Sequence, residues 1–153
     1  MAARSAGILM YKQQGDEILV LLVHPGGPYW RAKDASAWSI PKGECGEGED
    51  AEAAAQREFA EELGTRPAGP LSPLGRIRQR GGKQVEAFAV QGEFDVDRLS
   101  SNTFEMEWPP RTGRKQSFPE VDRAAWISLA EARDKINAGQ RPFLDRLEEL
   151  CAK

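Results

Sequence analysis

Apolar residues cluster near the start of the chain in two runs, SAGILMYKQQ (5–14) and GDEILVLLVHP (15–25), parted by a polar turn at Gly15 and Asp16. This pattern predicts two neighbouring strands, the second apolar enough to be covered on both faces. GGPYWRAKDAS (26–36) reads as a loop, and AWSIP (37–41) as a short strand stopped by Pro41. Residues 50–63 predict a helix: five alanines, no Gly or Pro, acids in the first turn and Gly64 placed to cap its end. LGRIRQ and QVEAFAVQGEF predict a hairpin around Gly81-Gly82. TFEMEW alternates apolar and acidic residues, so it predicts a strand ending at Pro109-Pro110. AAWISL predicts a last strand entering a helix that Ser128 caps. RPFLDRLEEL predicts a closing helix with Phe143, Leu144, Leu147 and Leu150 on one face. Strands mixed with helices over 153 residues give a single α/β domain, 1–153.

Composition narrows the function classes. Apolar content of 40% and charged content of 29% are those of ordinary globular proteins. A net charge of −3 argues against a nucleic-acid partner. The longest apolar run, ILVLLV (18–23), is too short to span a membrane, and the N-terminus lacks a signal core. Cys45 and Cys151 are far apart without metal or redox spacing, so both read as free thiols in a reducing compartment. The expectation is a cytoplasmic monomer or homodimer.

Charge is distributed less evenly than its total suggests. Between residues 41 and 64 stand Glu44, Glu47, Glu49, Asp50, Glu52, Glu58, Glu61 and Glu62, answered only by Lys42 and Arg57. At helical spacing Glu58, Glu61 and Glu62 share a face, and the arc of Glu58 and Glu62 continues through Ala51, Ala54 and Ala55. A solvated acidic face would instead lie opposite the small-residue stripe. On an exposed helix each like-charged pair costs about 0.2–0.5 kcal/mol, which is easily tolerated. In a crevice of effective dielectric near 20, charges about 5–6 Å apart repel by roughly 3 kcal/mol. Spacing alone leaves both a solvated helix and a metal site open. If the acids converge, oxygen-only ligation suits Mg²⁺ or Mn²⁺ together with a phosphorylated substrate.

The stretch resembles the box of the Nudix family, G-x5-E-x7-R-E-U-x-E-E-x-G-U with U a bulky aliphatic residue. Gly43, Glu49, Arg57, Glu58, Glu61, Glu62 and Gly64 occupy its fixed positions, within a box running from Gly43 to Thr65. Phe59 and Thr65 depart from the two aliphatic positions. The resemblance implies an α/β/α sandwich with a mixed β-sheet and hydrolysis of a nucleoside diphosphate linked to another moiety. It further implies that Glu58, Glu61 and Glu62 bind metal, joined by a carbonyl of Lys42 or Gly43. Glu120 in EVDRAAW would supply another carboxylate. Glu49 and Arg57 match an internal pair that shapes the loop, Gly43 a tight turn, and Gly64 the helix end. WSIPKG is similar to the pattern in diadenosine polyphosphate hydrolases of the family.

That resemblance sets the expected roles. Glu61 or Glu58, and then Glu120, are candidates for the general base, with Arg57 beside them. Glu105 and Glu107 are weaker candidates, because their alternation also fits a solvated strand face. Lys42 adjoins the acidic loop as a phosphate ligand, and Tyr29 and Trp30 sit on a loop able to stack a base. His24, the one histidine, reads as structural or solvent-facing before it reads as a substrate contact. Trp38, Trp108 and Trp126 read as strand packing. The basic stretches RIRQRGGK and RTGRK read first as solvated. Rival readings are hydrolysis of ADP-ribose, a nucleotide sugar or a nucleoside triphosphate, and a non-catalytic nucleotide-sensing module. An isoprenoid diphosphate isomerase would need a cysteine pattern that the chain lacks.

Overall fold

The computed structural model describes residues 4–79 and 81–152. Its strands are β1 (Arg4–Gln14), β2 (Glu17–Pro25), β3 (Lys42–Glu44), β4 (Ser72–Arg78), β5 (Gln84–Gln91), β6 (Thr103–Glu107), β7 (Lys115–Pro119) and β8 (Val121–Ser128). The helices are α1 (Ala51–Leu63), α2 (Leu129–Lys135) and α3 (Arg141–Ala152). The main sheet runs β4-β5-β1-β2-β8, with β3 paired to β1. Only β1 and β5 are parallel; the other pairs are antiparallel, so the sheet is mixed.

Side-chain parity builds the layers. Ala6, Ile8 and Met10 of β1, Leu21 and Val23 of β2, and Phe88 and Val90 of β5 pack with Ala54, Ala55, Phe59 and Leu63 of α1. Their alternates Leu9, Val20, Leu22, Val85, Ala87 and Ala89 pack on the other face with Ala132, Phe143, Leu144 and Leu147 of α2 and α3. Since successive strand residues point to opposite faces, one apolar run feeds both cores. The result is the expected α/β/α sandwich. Phe59, the aromatic substitute at an aliphatic box position, is fully buried between α1 and the sheet.

Two strands fork to make room for the site. β1 pairs with β2 only over Tyr11–Gln14, and with β3 over Ser5–Gly7. Where the two part, residues 38–44 enter between them: Ser39 exchanges two backbone bonds with Val23 (2.8 and 2.9 Å), and the Ile8 N–H donates to the Pro41 carbonyl (3.1 Å). AWSIP is therefore not the predicted strand. It makes isolated bridges to two different partners, Trp38 with Ile136 and Ser39 with Val23, and the strand begins after Pro41. The polar KQSFP, which the hydropathy pattern passes over, pairs with TFEME as β7 in a separate two-stranded sheet.

Gly7 makes the fork possible. A Cβ there would lie 2.6 Å from both the Pro41 carbonyl oxygen and Lys42 Cβ. We expect Gly7→Ala to lower unfolding stability by about 1–3 kcal/mol through overpacking. Urea denaturation checks it, and an unchanged midpoint would show that the loop gives way freely.

Candidate active site

Helix α1 is fixed at both ends. Asp50 caps its start by accepting from the Ala53 N–H (3.3 Å), and Gly64 ends it in the left-handed region at φ +90°. Arg57, in its second turn, is the hub of the acidic segment. Its guanidinium donates to both Glu49 oxygens (2.9 and 3.0 Å), to Glu58 (2.7 Å), to Glu61 (3.2 Å) and to the Glu44 carbonyl (3.0 Å). Glu49 also accepts from the Gly46 N–H at 2.7 Å. These contacts hold the Glu49 carboxyl down to about 2, chiefly through Arg57 and then the Gly46 N–H. The expected internal pair is thus a tie between the loop and two of the helix acids.

The acids differ in environment. Glu62 is buried, and burial, reinforced by the neighbouring Glu58, pushes its carboxyl up to about 8. Glu58 is also raised, first by burial, with the Arg57 hydrogen bond opposing it. Glu61 stays half-exposed and holds Arg57 at longer range. Across from them Lys42 is mostly buried, and burial, then Lys83, lowers its ammonium.

Gly43 serves a different purpose from the expected turn. It lies in β3, opposite Ala6. A Cβ there would fall 2.0 Å from Glu58 Oε2, so the missing side chain is the space the carboxylate occupies. Glycine is required here for close approach.

Glu120 reaches the site through a strap that the sequence does not advertise. The Ser100 and Asn102 N–H groups donate to the Leu63 and Glu61 carbonyls at the end of α1 (3.3 and 2.9 Å). The Asn102 carbonyl then accepts from the Glu120 N–H (2.8 Å), and the Glu120 carbonyl accepts from Gly26 (3.0 Å). Ser101 Oγ accepts from the Val121 N–H at 3.0 Å. Glu120 is exposed, but its backbone is bonded on both sides.

A cavity of about 280 Å³ opens at the fork, and Lys42, Glu62, Glu120 and Trp30 are among the residues that line it. Its lining also includes Gln79, Asn137 and Gln140, none of which the sequence singled out. Buried Gln140 accepts from the Ile40 N–H and donates to Ser39 Oγ, both at 3.0 Å, fixing the loop that leads to Lys42. Tyr29 lies outside this lining, 59% exposed, with its ring 5.4 Å from Trp108 in an edge-on contact. His24 is fully buried, with Nδ1 3.0 Å from Asp122 Oδ1 and Nε2 2.6 Å from the Lys33 carbonyl, which suits a structural pin. Cys45 and Cys151 are free thiols. No helix among the described residues is long and apolar enough to cross a membrane.

The NUDIX domain family model matches residues 1–147. The chain belongs to the Nudix family. Its fold is similar to that of an Ap4A hydrolase of C. elegans in a binary complex (TM-score 0.67, 23% identity, 97% of this chain and 98% of that one). It is also similar to the NUDIX domain of Shewanella oneidensis NrtR complexed with ADP ribose (0.66, 15%, 99% and 89%). A third likeness is to a MutT protein from Methanosarcina mazei Go1 (0.64, 21%, 99% and 96%). No curated protein matches the chain in sequence. The protein is a Nudix pyrophosphohydrolase, a class that acts on small nucleotide substrates and generally uses divalent metal ions.

The residues present fit such an ion. Every candidate donor is a hard oxygen, and the charges of Glu58 and Glu120 add to the burial that already disfavours a bare carboxylate at Glu62. Among the described residues, no three of these groups already stand in metal-holding geometry. Arg57 draws Glu58 and Glu61 towards itself instead.

Two outcomes follow from this geometry. Glu62 is raised in the fold, so its contribution is complete below the unfolded value of 4.5 and is lost as pH rises through about 8. Cation-free Nudix protein should therefore melt at lower temperature as pH rises across that window, and Mg²⁺ should raise Tm more at the alkaline end. Thermal scans with EDTA or Mg²⁺ check this; a Mg²⁺ shift equal at both ends would refute it. Gly43→Ala should displace Glu58 and cut kcat by about a hundredfold, while Tm shifts by only a few degrees. Steady-state turnover beside a melting curve tests that separation.

Proposed function

We propose that this domain, folding as the single unit 1–153, hydrolyses a diphosphate bond in a dinucleoside polyphosphate. The observation that carries the reading is one cavity in which Lys42, Glu62 and Glu120 meet an aromatic wall, Trp30. An anion-pairing amine, carboxylates and a stacking surface are what a nucleotide with an acidic phosphate chain requires. The similarity of WSIPKG to diadenosine polyphosphate hydrolases supports the choice of substrate.

Glu58, Glu61, Glu62 and Glu120 would hold Mg²⁺ or Mn²⁺. Such an ion supplies charge compensation at phosphate oxygens and makes bound water more acidic. The remaining work belongs to the chain. Glu61 is the first choice for accepting the proton of the attacking water, because its contact with Arg57 is longer than that of Glu58 (3.2 against 2.7 Å). Glu58 and Glu120 follow. Arg57 orients the acids without lining the cavity, and Glu49 orients Arg57. Lys42 pairs with phosphate, and Trp30 stacks a base.

A panel of diadenosine tetraphosphate, ADP-ribose, nucleotide sugars and nucleoside triphosphates, assayed with Mg²⁺, Mn²⁺ or EDTA and with products identified by mass, tests the substrate. Diadenosine tetraphosphate should turn over fastest; failure to process it would overturn the reading, and binding without any turnover would mean a sensing module. Glu58→Gln and Glu62→Gln should each lose about 10²–10⁴ in metal-dependent turnover. Glu62→Gln should also gain stability in EDTA at alkaline pH, since it removes a buried charge. Folded variants that keep full metal-dependent activity would remove both residues from the site.

A further inference from the structure

The β6–β7 hairpin stands apart from the main sheet, and the packing of the core does not account for its outer end. Register places Phe104 opposite Phe118 and Met106 opposite Gln116. One further backbone bond, from the Trp108 N–H to the Arg114 carbonyl (2.9 Å), holds those two residues opposite each other just past the last ladder pair. Directly opposed residues of an antiparallel pair project from the same face. One face of the hairpin is therefore a stripe running Phe104, Phe118, Met106, Gln116, Trp108, Arg114. Glu105, Glu107 and Lys115 lie on the other face.

The inner end of this stripe is occupied. Phe104 and Phe118 stack 6.1 Å apart, and Phe104 lies against Gly27, where a Cβ would come within 3.1 Å of its ring. The outer end is open. Tyr29 meets Trp108 edge-on and is 59% exposed. Arg114 and Arg111 are exposed, and among the described residues neither side chain has an acidic partner.

The turn that presents them is tied down from within. The Arg111 N–H donates to Glu107 Oε1 (2.6 Å), Thr112 Oγ1 donates to the Pro109 carbonyl (2.6 Å), and Gln116 Nε2 donates to the Trp108 carbonyl (3.0 Å). Arg111 is held at φ +66°, a conformation rare for a side chain of its size. A turn tied by its own hydrogen bonds, carrying guanidinium groups with no acidic partner among the described residues and lying beside an exposed ring, offers charge-assisted hydrogen bonds to a phosphate.

The hairpin also points back to the cavity. Its inner end, Pro119, runs straight into Glu120, and Tyr29 is the neighbour of Trp30, which flanks the cavity. Trp108 stands five steps along the chain from the Thr103–Pro119 pair, about 16 Å at the usual strand rise. That distance is on the scale of an extended polyphosphate chain with a nucleoside at its far end.

We propose that Tyr29, Trp108 and Arg114, with Arg111 behind them, form a distal nucleotide subsite that takes the second nucleoside phosphate of the substrate. The base stacks on the Tyr29–Trp108 edge and the adjoining phosphate pairs with Arg114. This inference rests on the dinucleoside polyphosphate reading and extends it from Trp30 outward.

Tyr29→Ala and Arg114→Glu are surface changes, and Arg114→Lys is the conservative control. Steady-state kinetics on diadenosine tetraphosphate with Mg²⁺ gives KM and kcat, and ADP as a competitive inhibitor reports the inner part of the site alone. In Tyr29→Ala and Arg114→Glu, KM should rise about tenfold, with kcat within twofold and the ADP inhibition constant unchanged. Arg114→Lys should recover part of the lost affinity. An unchanged KM in both variants, or an ADP constant that rises in step with KM, would overturn the subsite while leaving the hydrolase reading intact. A wild-type protein that does not cleave diadenosine tetraphosphate would overturn both.

Discussion

The site depends on one guanidinium. Arg57 can donate five hydrogens in a fixed plane, and here the plane is used in full: Glu49 takes two bonds, Glu58 and Glu61 share one nitrogen, and the Glu44 carbonyl takes the last direction. A lysine in its place would offer a point charge and leave the Glu49 carboxylate and the Glu44 carbonyl without a common partner. Because Arg57 is on α1, Glu49 on the loop before it and Glu44 at the end of β3, the same group fixes strand and loop to the helix and sets the directions of two helix acids. Arg57 is partly exposed, so the value of the network lies in orientation more than in stability.

Arg57 can act this way only because backbone crowds around it. The fork between β1 and β2 admits residues 38–44, and two glycines, Gly7 and Gly43, remove the side chains that would block them. At Gly7 the incoming loop fills the missing volume; at Gly43 the Glu58 carboxylate does. Gln140, from just before α3, then satisfies the Ile40 N–H inside the fork. A buried amide with no strand partner would otherwise carry a cost of about 1–3 kcal/mol. The cavity is thus a gap in a sheet where Gln140 takes over the Ile40 N–H that a neighbouring strand would otherwise pair.

Much of this was legible in the chain, for physical reasons that differ from place to place. α1 reads clearly because its cap, its alanines and its terminal glycine are local signals that agree. The six-residue alternation of TFEMEW likewise predicts β6, but its partner KQSFP carries no apolar period and becomes a strand only because β6 lies beside it. β3 is three residues, one of them glycine, and exists because β1 and β2 have parted, which is a tertiary fact. Among the site residues, Glu58, Glu61 and Glu62 follow from helical spacing, whereas Glu120 is legible only through family resemblance. The resemblance implies a tight turn at Gly43, while the structure shows a strand residue and a close approach of the Glu58 carboxylate. Gln140 and Asn137 left no signal, since their partners lie about a hundred residues away in the chain.

What the sandwich does for the site is to hold charge where water would otherwise dissolve it. A carboxylate such as Glu62, with its neighbours Glu58 and Glu120, would relax outward on a free helix. Here Ala51, Ala54 and Ala55 bring α1 close against the sheet, and the same face delivers Glu62 into the crevice. Small residues along the stripe and acids at its end are therefore one design: the first sets the depth of the helix, and the depth sets the proton affinity of the second. The strap at residues 100–102 adds the counterpart on the opposite bank by tying the carbonyls of Glu61 and Leu63 to the backbone before and after Glu120. Backbone bonds thus join the end of α1 to the segment that carries Glu120, so acids from two distant parts of the chain are presented at one cavity.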